Sequence, residues 1–161
     1  VIGRFHQTDS SAKKDSLARS VKKYKTPSGK IVFGGGGITP DTTVLFDSSL
    51  YTRAVLQVLM TSILNDFAYY DFVSNRAQYT SYKTATDFNL NFNISDAHWK
   101  RFVQYASKEG LNFGAIDARS KDFILNRIKA LIARQIWRTN GYFVVANSQD
   151  VLVSKALKAI Q

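Results

Sequence analysis

Apolar residues recur at steps of three and four positions from Ser49 onward, which is the spacing of one face of an α-helix. The pattern predicts a single helix of about five or six turns, capped at its start by Asp47 or Ser48. An aromatic cluster follows closely, and aromatic residues at helical spacing indicate core packing rather than stacking on a ligand. The predicted apolar face consists of Tyr51, Val55, Val58, Leu59, Ser62, Ile63, Phe67 and Tyr70, and the aromatic cluster of Tyr69, Tyr70, Phe72, Tyr79 and Tyr82.

The segment 80–94 has a different pattern, because its apolar residues alternate with polar ones. The alternation at Phe88, Leu90, Phe92 and Ile94 predicts an extended connector whose apolar side docks on the helices. Ser95 has the character of an N-cap, with Asp96 placing negative charge on the first turn of the next helix. That short helix is predicted to end at Gly110, and its inward residues are Trp99, Phe102, Val103 and Ala106.

A longer amphipathic pattern predicts a helix from about Asp117 to Arg138. A basic amphipathic helix can lie on an acidic surface, but an apolar stripe this completely filled favours core packing. Asn140 and Gly141 are expected to end the helix through a glycine in the left-handed conformation. The apolar stripe consists of Ile124, Leu125, Ile128, Leu131, Ile132, Ile136 and Trp137.

Beyond Gly141, residues 142–145 are predicted to be a short extended piece and residues 150–160 a final helix. Its expected inward residues are Val151, Leu152, Ala156, Leu157 and Ile160. The patterns from Ser49 onward predict a helical C-terminal bundle. With a small β element near the N-terminus, the expected fold is mainly α, of the α+β class.

Four consecutive glycines at residues 34–37 require a geometric reason, because each ordered glycine costs roughly 0.5–1 kcal/mol relative to alanine. A phosphate cradle is disfavoured, since Ile38, Thr39 and Pro40 follow where a phosphate loop needs Lys and Ser or Thr. Pro40 also pushes Thr39 toward extended backbone. The run is better explained by a close approach to another stretch of backbone, where no Cβ fits.

The composition is that of a folded module, with 45% hydrophobic and 21% charged residues and no cysteine. The absence of cysteine excludes a zinc ribbon, a redox pair and a disulfide scaffold. His98 is one of only two histidines and is interpreted as an ordinary surface or interface residue rather than a metal ligand. No cofactor is implied, and no stretch of about 18 apolar residues is present to span a bilayer.

The net charge of +10 is concentrated at the N-terminal end, where residues 1–30 hold eight basic and two acidic residues. A basic, serine-containing run of this kind is typical of a solvated extension. The alternative is a basic binding module for nucleic acid or an anionic envelope surface, and a plain scaffold or dimerisation unit is a third possibility. Nucleic acid is the less favoured partner, because no nucleic-acid-binding motif is present.

Two short motifs and three later segments together resemble a known family. T-P-S-G-K at residues 26–30, then a short strand and G-G-I-T-P-D at residues 36–41, is similar to the end of the catalytic domain of carboxy-terminal processing (tail-specific) serine peptidases. Residues 87–96, 125–137 and 140–157 are similar in order and spacing to the helical tail of one branch of that family. The residues of the structural motif are Thr26, Pro27, Gly29, Gly36, Gly37, Ile38, Pro40 and Asp41.

The resemblance implies a basic extension plus the last β segment of a catalytic domain at residues 1–47, and a helical C-terminal domain at residues 48–161. These peptidases use a serine nucleophile and a lysine base that lie upstream of G-G-I-x-P-D, and the motifs that present them do not occur here. No residue is therefore assigned a catalytic role, and the chain is expected to be inactive alone. Its expected role is to brace the catalytic domain or shape access for the substrate's C-terminal tail.

The resemblance also implies the partners and the location of the protein. The implied partners are the upstream catalytic and PDZ-type domains of the same polypeptide, together with the protein or peptide substrates of the intact serine endopeptidase. The implied location is the cell envelope or periplasm.

Overall fold

The computed structural model describes residues 22–29, 31–33, 43–45, 47–113 and 116–160. The chain divides into two units between Thr43 and Val44. We call them the N-terminal unit and the helical unit.

The N-terminal unit contains a short β-hairpin. Strand β1, Lys23–Lys25, pairs antiparallel with strand β2, Ile31–Phe33, so that Tyr24 lies opposite Val32. The backbone N–H of Gly29 donates to the carbonyl oxygen of Thr26 at 2.8 Å and closes a β-turn. Pro27 supplies the fixed φ that the second position of such a turn needs. Gly29 has a φ of +86°, which glycine adopts without steric cost.

The helical unit contains a 3₁₀ turn and seven α-helices within the described residues. With the small hairpin, they confirm a mainly α fold with a β element near the N-terminus. The 3₁₀ turn is Ser48–Leu50, and the helices are α1, Arg53–Leu59; α2, Ile63–Ser74; α3, Arg76–Tyr79; α4, Ala85–Asn91; α5, Asp96–Lys108; α6, Ala118–Ser148; and α7, Val151–Ala159.

The single helix predicted from Ser49 is wrong, because the chain breaks twice in this region. Asp47 caps only the 3₁₀ turn, and α1 starts after Thr52, whose hydroxyl accepts the backbone N–H of Val55 at 3.4 Å. At the second break, the Thr61 hydroxyl donates to two carbonyl oxygens of the preceding turn at 3.3 and 3.2 Å. Such bonds from a hydroxyl to the preceding turn are associated with helix bends.

The breaks change which residues of the predicted apolar face are buried. The inward prediction is confirmed for Val55, Val58, Ile63 and Phe67, which are all buried. It is wrong for Tyr51, Ser62 and Tyr70, which are exposed, and Tyr69 of the aromatic cluster is exposed as well. In the aromatic cluster, Tyr79 is fully buried and Phe72 and Tyr82 pack against the core.

The extended connector predicted over residues 80–94 is also wrong, because residues 85–91 form α4. The hydroxyl of Thr84 caps this helix by accepting the backbone N–H of Asp87 at 3.0 Å. Phe88 and Phe92 are four residues apart, and their rings stack with centroids 4.8 Å apart. Leu90, which the alternation would place on the same side, is 72% exposed. The helical spacing of four between Phe88 and Phe92 therefore describes this segment, and the alternation typical of a strand does not.

The core of the helical unit lies between α2, α4 and α6, with α5 packed alongside. The stripe predicted for the long helix is confirmed, since Ile124 to Ile132 supply its buried residues and Ile136 and Trp137 pack against the core. On α5, Phe102 and Ala106 are buried as predicted, and Trp99 and Val103 are half-buried. This helix ends at Lys108, close to the predicted stop at Gly110.

Helix α6 reverses direction at Trp137 and Arg138, whose backbone angles are not helical. Residues 133 and 141 would lie about 12 Å apart in a straight helix, yet a Cβ placed on Gly141 would lie 2.5 Å from the Ala133 carbonyl oxygen. Residues 118–136 therefore form an outgoing segment, and residues 139–148 a return segment that packs back against it. The predicted glycine stop at Asn140–Gly141 and the extended piece at 142–145 are both wrong.

Gly141 has a different role from the one predicted. It lies inside the return segment, where the absence of a side chain lets the two segments approach closely. The residue with positive φ is Arg138 instead, at φ 57° and ψ −145°.

The final helix is confirmed as α7, with Asp150 as its N-cap, but its predicted inward face is exposed. Val151, Leu152, Leu157 and Ile160 are between 51% and 80% exposed. Among the described helices, none combines the length and apolar character required to cross a bilayer.

Candidate functional site

The predicted structural motif is only partly visible. Thr26, Pro27 and Gly29 lie together in the hairpin turn. The other members of the motif, Gly36, Gly37, Ile38, Pro40 and Asp41, lie outside the described residues.

The hairpin exposes apolar side chains on both strands. Tyr24 is 55% exposed, its cross-strand partner Val32 is 40% exposed, and Ile31 next to Val32 is 57% exposed. A two-stranded hairpin is marginally stable at best in water and normally needs further strands or another packed layer. This surface is therefore suited to pairing with additional structure.

A buried carboxylate organises the first half of the helical unit. Asp71 on α2 is 1% exposed and accepts from Arg101 Nε at 2.8 Å and Nη2 at 3.4 Å. It also accepts from Asn75 Nδ2 at 3.2 Å and from the Tyr79 hydroxyl. Burial, followed by the bond to Asp71, raises the pKa of Tyr79, so this hydroxyl keeps its proton. A carboxylate has about four acceptor positions, and these four bonds occupy them, so Asp71 ties α2, α3 and α5 together rather than serving a substrate.

His98 is predicted as a surface or interface residue, and its 6% exposure contradicts the surface alternative. It stands three positions after the N-cap of α5, where its Nδ1 accepts the backbone N–H of Ser95 at 3.1 Å. The ring packs edge-on against Phe92, with centroids 5.4 Å apart. Desolvation, followed by the charge of Arg101, lowers the pKa of His98, so the ring is neutral.

The Ser95 hydroxyl lies 3.1 Å from His98 Nδ1, but the two residues do not form a nucleophile and base. The single lone pair of Nδ1 already accepts a backbone N–H, and burial weakens the ring as a base. The pair is a capping box in which the histidine takes the place usually held by Glu or Gln. Among all of the described residues, including His98, no group of three His, Asp or Glu side chains could hold a metal ion.

Cations at the start of α6 are paired with acids from other elements. Arg119 donates to the Ser49 hydroxyl at 2.8 Å and to the Asp47 carboxylate. Hydrogen bonds from Ser49 and then Arg119 lower the pKa of Asp47 to about 2. Lys121 pairs with Asp96 at 2.8 Å and lowers the pKa of that carboxyl. These pairs join α6 to the 3₁₀ turn and to α5.

Further along α6, a groove of about 250 Å³ lies between the α1–α2 corner and the two segments of the helix. Val58, Leu64 and Leu131 line it from the core side, but they are at most 5% exposed and offer little apolar surface. The rest of the lining consists of Leu59, Thr61, Asn65, Arg127, Arg134 and Tyr142. We call this the arginine groove.

Sequence reasoning missed both the Asp71 network and the arginine groove. Asp71 carried a usable signal, because it lies three and four positions from Ala68 and Phe67 on the same helical face. A carboxylate on an apolar face predicts a buried partner. The groove carried no such signal, since it depends on the reversal that brings Tyr142 back to Arg127.

Residues 54–138 match a protein family described as a family of unknown function, DUF8443. The match covers more than half of the 161 residues. The chain belongs to this family. The DUF8443 region extends from α1 to the reversal in α6, so it contains the Asp71 network and both groove arginines. Comparison with curated proteins and with solved structures gives no match.

Proposed function

We propose that this chain forms the C-terminal portion of a carboxy-terminal processing serine endopeptidase of the cell envelope. The serine and lysine of the reaction would lie upstream in the same polypeptide. The hairpin would complete the edge of the catalytic sheet, and the helical unit would brace that domain.

The observation that carries this proposal is the exposed hairpin. Its T-P-S-G turn is the first half of the motif on which the resemblance rests, and the turn leads into a strand that precedes G-G-I-T-P-D. Tyr24, Ile31 and Val32 present apolar surface on both strands. The hairpin therefore has the properties of the last strands of a larger sheet.

The helical unit supports a bracing role because it has a continuous core of its own. Two of its buried polar side chains are used for structure, because Asp71 accepts four hydrogen bonds and His98 takes part in the N-terminal cap of α5. A rigid unit of this kind can hold an attached domain without contributing a reacting group.

The test compares one double variant in two contexts, Ile31→Thr with Val32→Thr, which removes apolar surface but keeps β-branched residues. In the isolated chain the melting temperature should hardly change, because exposed substitutions usually alter stability by less than about 0.5 kcal/mol. In the full-length polypeptide both the melting temperature and the rate of peptide hydrolysis should fall. The exposed substitution Lys83→Thr is the matched control and should change neither. Equal behaviour of the double variant in the two contexts would refute the sheet-edge role.

A fluorophosphonate probe tests the assignment of the reaction. We expect it to label a serine N-terminal to Val1 in the full-length polypeptide and none within residues 1–161. Labelling inside this chain, or a full-length polypeptide that resists labelling and cleaves no peptide, would overturn the proposed function.

A further inference from the structure

Helix α7 keeps an apolar face outside the core of the helical unit. Leu152, Leu157 and Ile160 are 51%, 53% and 80% exposed, and no residue of the helix is buried or packs against the core. At about 100° per residue, the apolar side chains of this face cover about 160° of the circumference. We call it the α7 face; it consists of Leu152, Val153, Ala156, Leu157, Ala159 and Ile160.

The opposite side of α7 is basic. Lys155 and Lys158 are three positions apart, hence on one side of the helix, and both are exposed. The nearest acid in the sequence is Asp150, whose carboxylate caps the helix by accepting two backbone N–H groups at 2.7 and 3.3 Å. Residues 127–161 hold six basic residues and one acidic residue. The α7 face therefore belongs to a strongly basic part of the chain.

The size and charge of α7 distinguish between the surfaces that could cover it. A specific protein interface uses about 20–30 residues a side, whereas α7 has nine. A second copy would also bring like charges together, because each chain has a net charge of +10. A bilayer surface can accept a short amphipathic helix, since apolar side chains enter the acyl boundary while lysines reach the headgroups. Charge complementarity then favours anionic lipids.

We propose that α7 lies on the surface of a membrane that contains anionic lipids. Leu152, Leu157 and Ile160 enter the boundary between headgroups and acyl chains, and Lys155 and Lys158 remain among the headgroups. This inference goes beyond the function proposed above and does not depend on it, because it uses no property of a peptidase.

Cosedimentation of the full chain with vesicles, at physiological ionic strength, tests the proposal. We expect the chain to bind vesicles of three parts phosphatidylcholine and one part phosphatidylglycerol at least tenfold more tightly than vesicles of phosphatidylcholine alone. Leu157→Gln with Ile160→Gln should weaken binding at least tenfold, because less apolar surface is buried. Leu45→Gln with Met60→Gln is the matched control, at side chains 88% and 85% exposed, and should bind like the wild type.

The lysines are tested in the same assay. Lys155→Gln with Lys158→Gln should weaken binding to the anionic vesicles about tenfold. Lys100→Gln with Lys108→Gln, at two exposed lysines of α5, is the matched control and should leave the affinity unchanged. Binding that neither α7 double variant weakens is made by another basic segment and overturns the proposal, as does the absence of binding to anionic vesicles.

A fluorescent label reports which side of α7 meets the lipid. The chain has no cysteine, so Ala156→Cys and Ser154→Cys each give one site for a polarity-sensitive dye. On addition of anionic vesicles, emission should shift to the blue for the label at position 156 and stay unchanged at position 154. Equal shifts refute the orientation. A dimer in the absence of lipid that Leu157→Gln with Ile160→Gln dissociates would show that a second copy covers the face, which also overturns the proposal.

Discussion

Adding a single methyl group at Gly141 tests the reversal of α6. The ideal Cβ of an alanine would lie 2.5 Å from the Ala133 carbonyl oxygen, 3.0 Å from the Ala133 carbonyl carbon and 2.8 Å from the Trp137 Cβ. Two of these three neighbours are backbone atoms, which cannot rotate away as a flexible side chain would. The two segments must therefore move apart to accept the methyl group.

Two opposing terms set the size of the effect. Overpacking of this kind typically costs about 1–3 kcal/mol, whereas alanine is favoured over glycine by about 1 kcal/mol within a helix. The steric term should win, because the closest contact is far inside normal van der Waals separation. We expect Gly141→Ala to lower the free energy of unfolding by about 1–2 kcal/mol, with a fall in Tm of about 2–8 °C.

Urea unfolding of the full chain, followed by circular dichroism, measures this loss. Asn140→Ala is the control, since it places alanine at an exposed position of the same segment and reports helix propensity alone. That variant should equal or slightly exceed the wild type in stability. If Gly141→Ala behaves in the same way, the return segment does not lie against Ala133 and the reasoning about the reversal is wrong.

Three further predictions concern single side chains. Arg138→Gly should raise the free energy of unfolding by about 1 kcal/mol, because Arg138 has backbone angles that are nearly restricted to glycine; Arg138→Ala should give no such gain in the same urea assay. Asp71→Asn should lower the free energy of unfolding by about 2–4 kcal/mol, because this variant leaves the Arg101 guanidinium without its charge partner. Asp122→Asn, at an exposed carboxylate, is the control, and equal losses for the two variants would contradict the role of the network. Burial, followed by Arg101, lowers the pKa of His98, so the unfolded chain takes up a proton at a higher pH than the folded chain. The free energy of unfolding should therefore decline as the pH falls below the usual histidine pKa of about 6.5. His98→Gln should make this decline shallower in a series of urea midpoints measured at different pH values. The same slope in the variant and the wild type would show that His98 does not cause the decline.

Elements whose capping residue and apolar periodicity agree could be predicted from the sequence. Ser95 precedes α5, Asp117 precedes α6 and Asp150 precedes α7, and all three cap as their residue types suggest. In each case the local signal and the tertiary packing favour the same start. These elements carry most of the predicted fold.

The failures occur where tertiary contacts override a local pattern. Phe88 and Phe92 satisfy a period of two as well as a spacing of four, and only their packing on the core decides between them. The reversal has no local sequence signal, because an arginine rather than a glycine occupies the position with positive φ. The arginine groove depends on that reversal, so it could not be predicted without the structure.

The turn at Trp137 and Arg138 has a consequence for how this chain can change length. One extra residue there would rotate everything after it by about 100° around the helix axis. That rotation would remove both the close approach of Gly141 to Ala133 and the contact of Tyr142 with Arg127. The turn therefore constrains the number of residues between Ala133 and Gly141 more strictly than their identity. We expect related chains to differ in sequence at this turn and to keep the same number of residues.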